Sequence, residues 1–136
     1  MTLSSCGFHF PEKNEEIIVN ITGDTTQIIA RDFAKSVRLS ERSNYSIEFN
    51  NSSCSQNVVA YSSDGKSLGY NLECIANVKI SNLRDGSTFD ERYVSKNYLR
   101  KIASNKTESE EIERNYHKLR HNIIRRILRK LSTISN

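Results

Sequence analysis

Residues 70–80 read YNLECIANVKI, and the regular alternation of apolar and polar side chains there is the strongest structural pattern in the chain. The apolar phase consists of Tyr70, Leu72, Cys74, Ala76, Val78 and Ile80. The other phase is mostly polar and includes Asn71, Glu73, Asn77 and Lys79. A period of two places the two phases on opposite faces of a β-strand. We therefore expect a sheet with one face against a core and the other in water.

Hairpin signals lie on both sides of this strand. Ser63-Asp64-Gly65-Lys66 precedes it and Arg84-Asp85-Gly86 follows it, and Asp-Gly supplies the positive φ angles of tight turns. Before the first turn, residues 45–50 alternate and residues 58–61 resume the pattern, with a polar stretch between them that is either a bulge or a loop. After the second turn, residues 88–101 predict a strand with weaker alternation.

The amino-terminal part predicts one strand and one helix. Residues 15–21 (EEIIVNI) are β-branched and predict the first strand. A helix is expected over residues 25–39, because Ile29, Phe33 and Val37 recur at i, i+4 and i+8. Asp24 is placed to cap this helix, with Gln27 as its capping-box partner.

A long helix is predicted over residues 107–131. Thr107 and Glu110 have capping-box spacing at its start. Its apolar stripe is spaced by three and four and contains Ile112, Tyr116, Leu119, Ile123, Ile127 and Leu131. The expected fold class is therefore α/β, an α+β two-layer sandwich of order β-α-β-β-β-α, with two helices packed on one face of a four-stranded sheet.

The size and composition of the chain indicate one domain with a thin hydrophobic core. The chain has 136 residues, of which 36% are hydrophobic, so one core is expected. Its formal net charge of +4 is compatible with an anionic partner, although such an excess is also common in proteins without one. No run of about 18 apolar residues occurs, so no transmembrane helix is predicted.

The cysteines and histidines do not predict a metal or catalytic site. Cys6, Cys54 and Cys74 form no CxxC pair. His117 and His121 are four apart on the last helix, but no carboxylate has HExxH spacing and their basic neighbours disfavour a metal. Neither a GxSxG motif nor a P-loop is present. We therefore expect no metal, no catalytic residue and no enzymatic activity.

Pairing of Cys54 with Cys74 is possible in a periplasmic protein but not favoured. With the turn near Gly65, residue 74 should oppose a position near 57. Cys74 is instead expected to be a small buried hydrophobic residue.

The amino terminus contains a lipobox-like segment, Leu3-Ser4-Ser5-Cys6-Gly7. Small residues before the cysteine fit the cleavage site of the lipoprotein signal peptidase, and the thiol is the site of acylation. Only five residues precede Cys6, so we expect either a start close to the cleavage site or a misassigned start codon. The expected organisation is residues 1–6 as the end of the lipoprotein signal and residues 7–136 as a single domain.

The segment Cys6-Gly7-Phe8-His9-Phe10 resembles the start of mature LptE proteins, which open with Cys-Gly, an aromatic residue, His and an apolar residue. The predicted order of elements is similar to that of LptE, as is the final helix that ends in IRRILRKL at residues 124–131. This similarity of pattern covers almost the whole chain.

The resemblance implies a lipid-anchored lipoprotein on the periplasmic face of the outer membrane. Cys6 would be the first mature residue and carry the covalent lipid, with no other cofactor, and a triacylated cysteine provides the multiple chains that stable anchoring needs. Gly7 is not the Asp that marks inner-membrane retention in enterobacteria. The implied partners are an LptD-like outer-membrane β-barrel, which LptE plugs, and lipopolysaccharide; no nucleic acid is expected.

One family feature does not carry over directly. LptE proteins have a basic residue for lipid contact just before the hairpin between the second and third strands, and this chain has Ser63 there. Lys66, on the other side of the turn, is the candidate lipopolysaccharide-binding residue, although exposed turn lysines are common.

The alternative function is a small nucleic-acid-binding module. The last helix carries basic residues that could follow phosphates, namely Arg114, Lys118, Arg120, Arg125, Arg126, Arg129 and Lys130. Glutamates at the start of the helix weaken this alternative, as does the lack of a base-stacking motif on the strands. A membrane-surface role for the helix has similar support.

Overall fold

The alternating segment lies inside the central hairpin of a mixed sheet. A computed structural model describes residues 14–61, 63–65, 67–100 and 105–134. The strands are β1 (Asn14–Thr22), β2 (Val37–Leu39), β3 (Tyr45–Tyr61), β4 (Ser67–Asn82) and β5 (Thr88–Arg100), and the helices are α1 (Ile28–Ala34) and α2 (Asn105–Ile134). The strand order is β2-β1-β3-β4-β5. β1 runs parallel to β2 and β3, and the other neighbours are antiparallel.

The sheet has five strands, so the prediction of four was wrong. The extra strand, β2, lies where the carboxy-terminal turn of the first helix was expected. The helix ends at Ala34, and Arg38 and Leu39 pair with Ile18 and Val19 of β1. Val37 is completely buried. Pairing with β2 satisfies backbone N–H and C=O groups along the edge of β1, which would lack these partners if the helix continued. The apolar side chain of Val37 is still buried.

The start of α1 also differs from the expectation. Gln27, not Asp24, is the N-cap residue, and it makes no capping bond with its side chain. The Asp24 carboxylate instead accepts hydrogen bonds from the backbone N–H (2.9 Å) and hydroxyl of Thr26, as aspartates commonly do in turns. The Gln27 amide donates to the Phe49 carbonyl (3.0 Å) and accepts from the Ser52 hydroxyl. Gln27 thus ties α1 to β3.

The β3–β4 hairpin is longer than the sequence indicated. The polar stretch between residues 50 and 57 belongs to β3, which continues through a register shift between Phe49 and Asn51. Tyr61 pairs with Ser67, so residues 62–66 connect the strands. This pairing is centred on Asp64, and Cys54 therefore lies opposite Cys74, with Cα atoms 4.1 Å apart and a disulfide between them. The expectation of an unpaired, merely buried Cys74 was wrong.

The predicted core face is confirmed. All six apolar-phase residues of β4 are at most 8% exposed, and α1 and α2 cover them together with Ile47 and Phe49 of β3. From α2, the side chains of Leu119, Ile123, Ile127 and Leu131 are buried as expected, and Ile112 and Tyr116 pack at the margin. Each such burial stabilises the fold by about 1.5–3 kcal/mol.

α2 begins at Asn105, two residues before Thr107. The predicted capping box therefore lies within the first turns of the helix, where the backbone already has helical geometry. In the same turns, Glu108 accepts a hydrogen bond from the Tyr70 hydroxyl at 2.7 Å. This bond fixes the start of α2 over the beginning of β4.

We predict that replacing both Cys54 and Cys74 with serine lowers the free energy of unfolding by about 3 kcal/mol. The disulfide closes a loop with a sequence separation of 20, and a cross-link of that length restricts the unfolded chain by this amount. Urea unfolding followed by circular dichroism measures the change. A Cys6→Ser variant is the matched control and should match the wild type. Equal unfolding midpoints for the double variant and the wild type would show that the disulfide does not stabilise the fold.

Candidate binding surfaces

The sheet surface opposite the helices is polar and half-exposed, as the alternation predicted. We call it the open face. Its central members are Asn71, Glu73, Ile75, Asn77 and Lys79 of β4 and, paired with them, Tyr98, Lys96, Val94, Arg92 and Asp90 of β5. Both strands carry charges of both signs on this face, and Lys96 Nζ lies 3.5 Å from Glu73 Oε2. The open face is therefore hydrated and mixed in charge, with a small apolar centre at Ile75 and Val94.

Tyr98 is the large aromatic residue of the open face and is 52% exposed. Its ring lies over Gly69, where a Cβ atom would approach the ring carbon Cζ to 2.6 Å. Only glycine leaves room for this ring position. The result is an exposed, amphipathic ring beside Asn57 and Asn71, of the kind that proteins use in contacts with partners.

A groove of about 310 Å³ lies on the helix side, between α1, α2 and β3. Apolar side chains from both helices line it, and the disulfide lies at its base. The polar groups around it include Gln27, Glu113 and Arg120. Tyr116 also lines the groove, and its partial burial raises the pKa of the phenol. A groove of this size and lining suits a short apolar chain.

The basic residues of α2 are divided between internal contacts and solvent. Arg126 Nη1 donates to the Val94 carbonyl at 2.7 Å, and Lys130 Nζ lies 3.3 Å from Glu91 Oε1. Arg114 pairs with Glu111 on its own helix. Arg120 faces Asp32 of α1, with Nε and Oδ2 3.6 Å apart.

Four of the seven basic residues of the predicted helix are exposed, namely Arg114, Lys118, Arg125 and Arg129, and of these Arg114 pairs with Glu111. Tight binding to a nucleic-acid backbone requires many cationic side chains that are free to neutralise its phosphates. Much of the basic charge that favoured nucleic-acid binding is therefore used in contacts within the chain.

His117 and His121 lie side by side on α2, with ring centroids 4.3 Å apart. Partial burial lowers the pKa of His121, and the adjacent His117 lowers it further. Asp32 of α1 meets this pair, so that ligand atoms of the three residues all lie within 4.8 Å of one another. Asp32 was not predicted as a member of this cluster, because only carboxylates close to the histidines in the sequence were considered.

The two site residues expected from the family resemblance, Cys6 and Lys66, lie outside the described residues. Ser63, which occupies the position of the family's basic residue, is exposed in the turn before β4. Within the described part of the chain, neither helix has the combined length and apolarity needed to cross a bilayer.

Comparisons with known proteins identify the fold. No protein-family description and no curated protein matches the sequence, but solved structures do. Rare lipoprotein B from Shewanella oneidensis superposes with a TM-score of 0.76 at 12% identity, over 88% of this chain and 96% of that one. Lipoprotein B from Nitrosomonas europaea gives 0.71 at 15% identity, over 96% and 93%.

A minor lipoprotein from Acinetobacter baumannii gives a TM-score of 0.57 at 12% identity, over 87% of this chain and 90% of that one. The chain therefore has the LptE-like fold, and the predicted resemblance to LptE is confirmed at the level of architecture. The three similar proteins are lipoproteins, and none has an enzyme name.

Proposed function

We propose that this chain is a lipid-anchored outer-membrane lipoprotein of the LptE type. In this proposal it plugs and supports an LptD-like β-barrel and binds lipopolysaccharide during assembly at the outer membrane. The observation that carries the proposal is the shared fold with lipoprotein B structures across most of both chains. The lipobox-like segment ending at Cys6 supports it independently, because it lies directly before the folded domain.

The open face is the proposed contact with the barrel interior. The lumen of a large membrane barrel is polar and hydrated, so a plug needs a polar surface toward it. The open face combines paired charges with amides, which suits a wet interface. The helix layer gives the plug a rigid support, since both helices are packed into the core.

Lipopolysaccharide combines phosphates with acyl chains, and two features of this chain match that chemistry. Lys66 is the proposed phosphate contact in the β3–β4 connection. The groove beside the disulfide is the proposed apolar contact. A lysine binds phosphate as a point charge.

The first prediction from this proposal is that Cys6 carries lipid. In the native cells, the wild-type chain should incorporate labelled palmitate and fractionate with the outer membrane, and Cys6→Ser should do neither. Ser5→Ala keeps a small residue at the cleavage site and should be labelled like the wild type. An unmodified Cys6 in the purified wild-type chain, measured by mass spectrometry, would exclude the lipid anchor.

The second prediction concerns the barrel. Asn71→Trp places a bulky side chain on the open face, where Asn71 is exposed, and should abolish co-purification with a large outer-membrane β-barrel. Arg125→Trp places the same side chain on an exposed position of the helix layer and should leave the complex intact. Thermal melts of both variants check that the fold is kept. If Arg125→Trp alone breaks the complex, the open face is not the docking surface.

The third prediction concerns lipopolysaccharide. Lys66→Asp should weaken binding of purified lipopolysaccharide by about tenfold, since it replaces an attraction to phosphate with a repulsion. Lys118→Asp makes the same charge reversal on α2 and is the control. Equal binding by the two variants and the wild type would remove Lys66 from the proposed site and leave the barrel contact unaffected.

A further inference from the structure

Three potential metal ligands converge where α1 lies against α2. His117 and His121 come from successive turns of α2, and Asp32 comes from α1. The donor atoms of all three side chains lie within 4.8 Å of one another. Because Asp32 is far from both histidines along the chain, it is the packing of the two helices that makes this cluster.

The spacing within the cluster is close to what a metal ion requires. Residues four apart share one face of a helix, so both imidazoles reach the same point. Zinc bonds of about 2.0–2.1 Å at tetrahedral angles place neighbouring donors roughly 3.3 Å apart. His117 and His121 are exposed, so rotations of their side chains close the remaining gap at little cost in packing.

A second observation points to a ligand at the same place. Oδ2 of Asp32 is buried and has no hydrogen-bond partner, and Nε of Arg120 beside it has none either. Their separation of 3.6 Å is that of an ion pair without a hydrogen bond. A buried carboxylate with an unsatisfied oxygen is costly. A cation bound by this carboxylate would offset that cost. The guanidinium of Arg120 would then remain beside the carboxylate, on the side away from the bound cation.

We propose that Asp32, His117 and His121 bind a divalent transition-metal ion, with zinc as the best chemical match and water completing the coordination. Two imidazoles and one carboxylate form a donor set that zinc accepts, whereas magnesium and calcium prefer oxygen ligands alone. This assignment is independent of the envelope function proposed above.

The bound ion would tie α1 to α2. α1 has seven residues and makes no side-chain N-cap bond, so it contributes little helix stability of its own. Ile28 and Ile29 of α1 line the groove on one side, and Arg120 of α2 lines it on the other. Zinc binding would therefore fix the helix that forms one wall of the groove.

The test uses the full chain, stripped with chelator and dialysed. Zinc chloride titrated by calorimetry should give one site. At a free zinc concentration a hundred times the Kd, the Tm should rise by about 10 °C. His117→Gln with His121→Gln should weaken zinc binding by more than about 100-fold, and Asp32→Asn by about tenfold.

Controls separate this site from others and from loss of fold. Arg129→Gln changes an exposed residue further along α2, and Cys6→Ser with His9→Gln removes the ligands of the amino-terminal segment; both should bind zinc like the wild type. The double histidine variant should melt like the metal-free wild type, since its changes are exposed. Unchanged zinc affinity in that variant, or no Tm rise in the wild type, would overturn the proposal. Loss of affinity with Cys6→Ser and His9→Gln would place the metal elsewhere and overturn it equally.

Discussion

The structure depends on the burial of one face of β4 beneath α2. Leu72, Cys74, Ala76, Val78 and Ile80 are at most 1% exposed, and β4 has a neighbouring strand along both edges. The small residues Cys74 and Ala76 lie in the middle of this row, where they let the helix approach the sheet. Because side chains of a strand alternate strictly, this burial forces Asn71, Glu73, Asn77 and Lys79 to the other side. The open face is thus a consequence of the core, and its polarity cannot be exchanged for more apolar residues without exposing them to water.

Periodicity was enough to predict this layer but not the contacts between distant segments. The β4 pattern, the α2 stripe and the positions of both turns were predicted correctly because each depends on residues that are neighbours in sequence. β2 was missed because Val37 satisfies a helical period as well as a strand, and only the nearby edge of β1 decides between them. The disulfide was not predicted because the register was counted from a turn near Gly65, whereas the pairing of Tyr61 with Ser67 centres the connection on Asp64.

Charge on α2 shows why composition is weak evidence for a partner. The helix predicted over residues 107–131 carries seven basic residues, yet Arg126 and Lys130 extend over the rings of Tyr93 and Phe89 on β5, and Arg120 faces Asp32. Long basic side chains commonly cover apolar surface in this way while their charged ends find acceptors. Such residues hold the helix on the sheet. The basic charge of α2 that is available to a partner is therefore smaller than the net charge suggests. The shape and polarity of the open face, in contrast, remain available to a partner.

One edge of the sheet needs protection, and several features of the chain provide it. β1 pairs with β3 only from Ser46 to Glu48, so the distal part of β3 has no described strand beside it there. An exposed edge invites pairing with other chains unless it is bent, capped or polar. Here the register shifts next to Phe49 and near Tyr61 bend the strand, its sequence is rich in serine and asparagine, and Gln27 of α1 bonds to Phe49 and Ser52. The disulfide fixes the same region to β4. α1 therefore protects the distal edge of β3 and also forms one wall of the groove. These two roles explain why such a short helix, with little stability of its own, is held by several contacts.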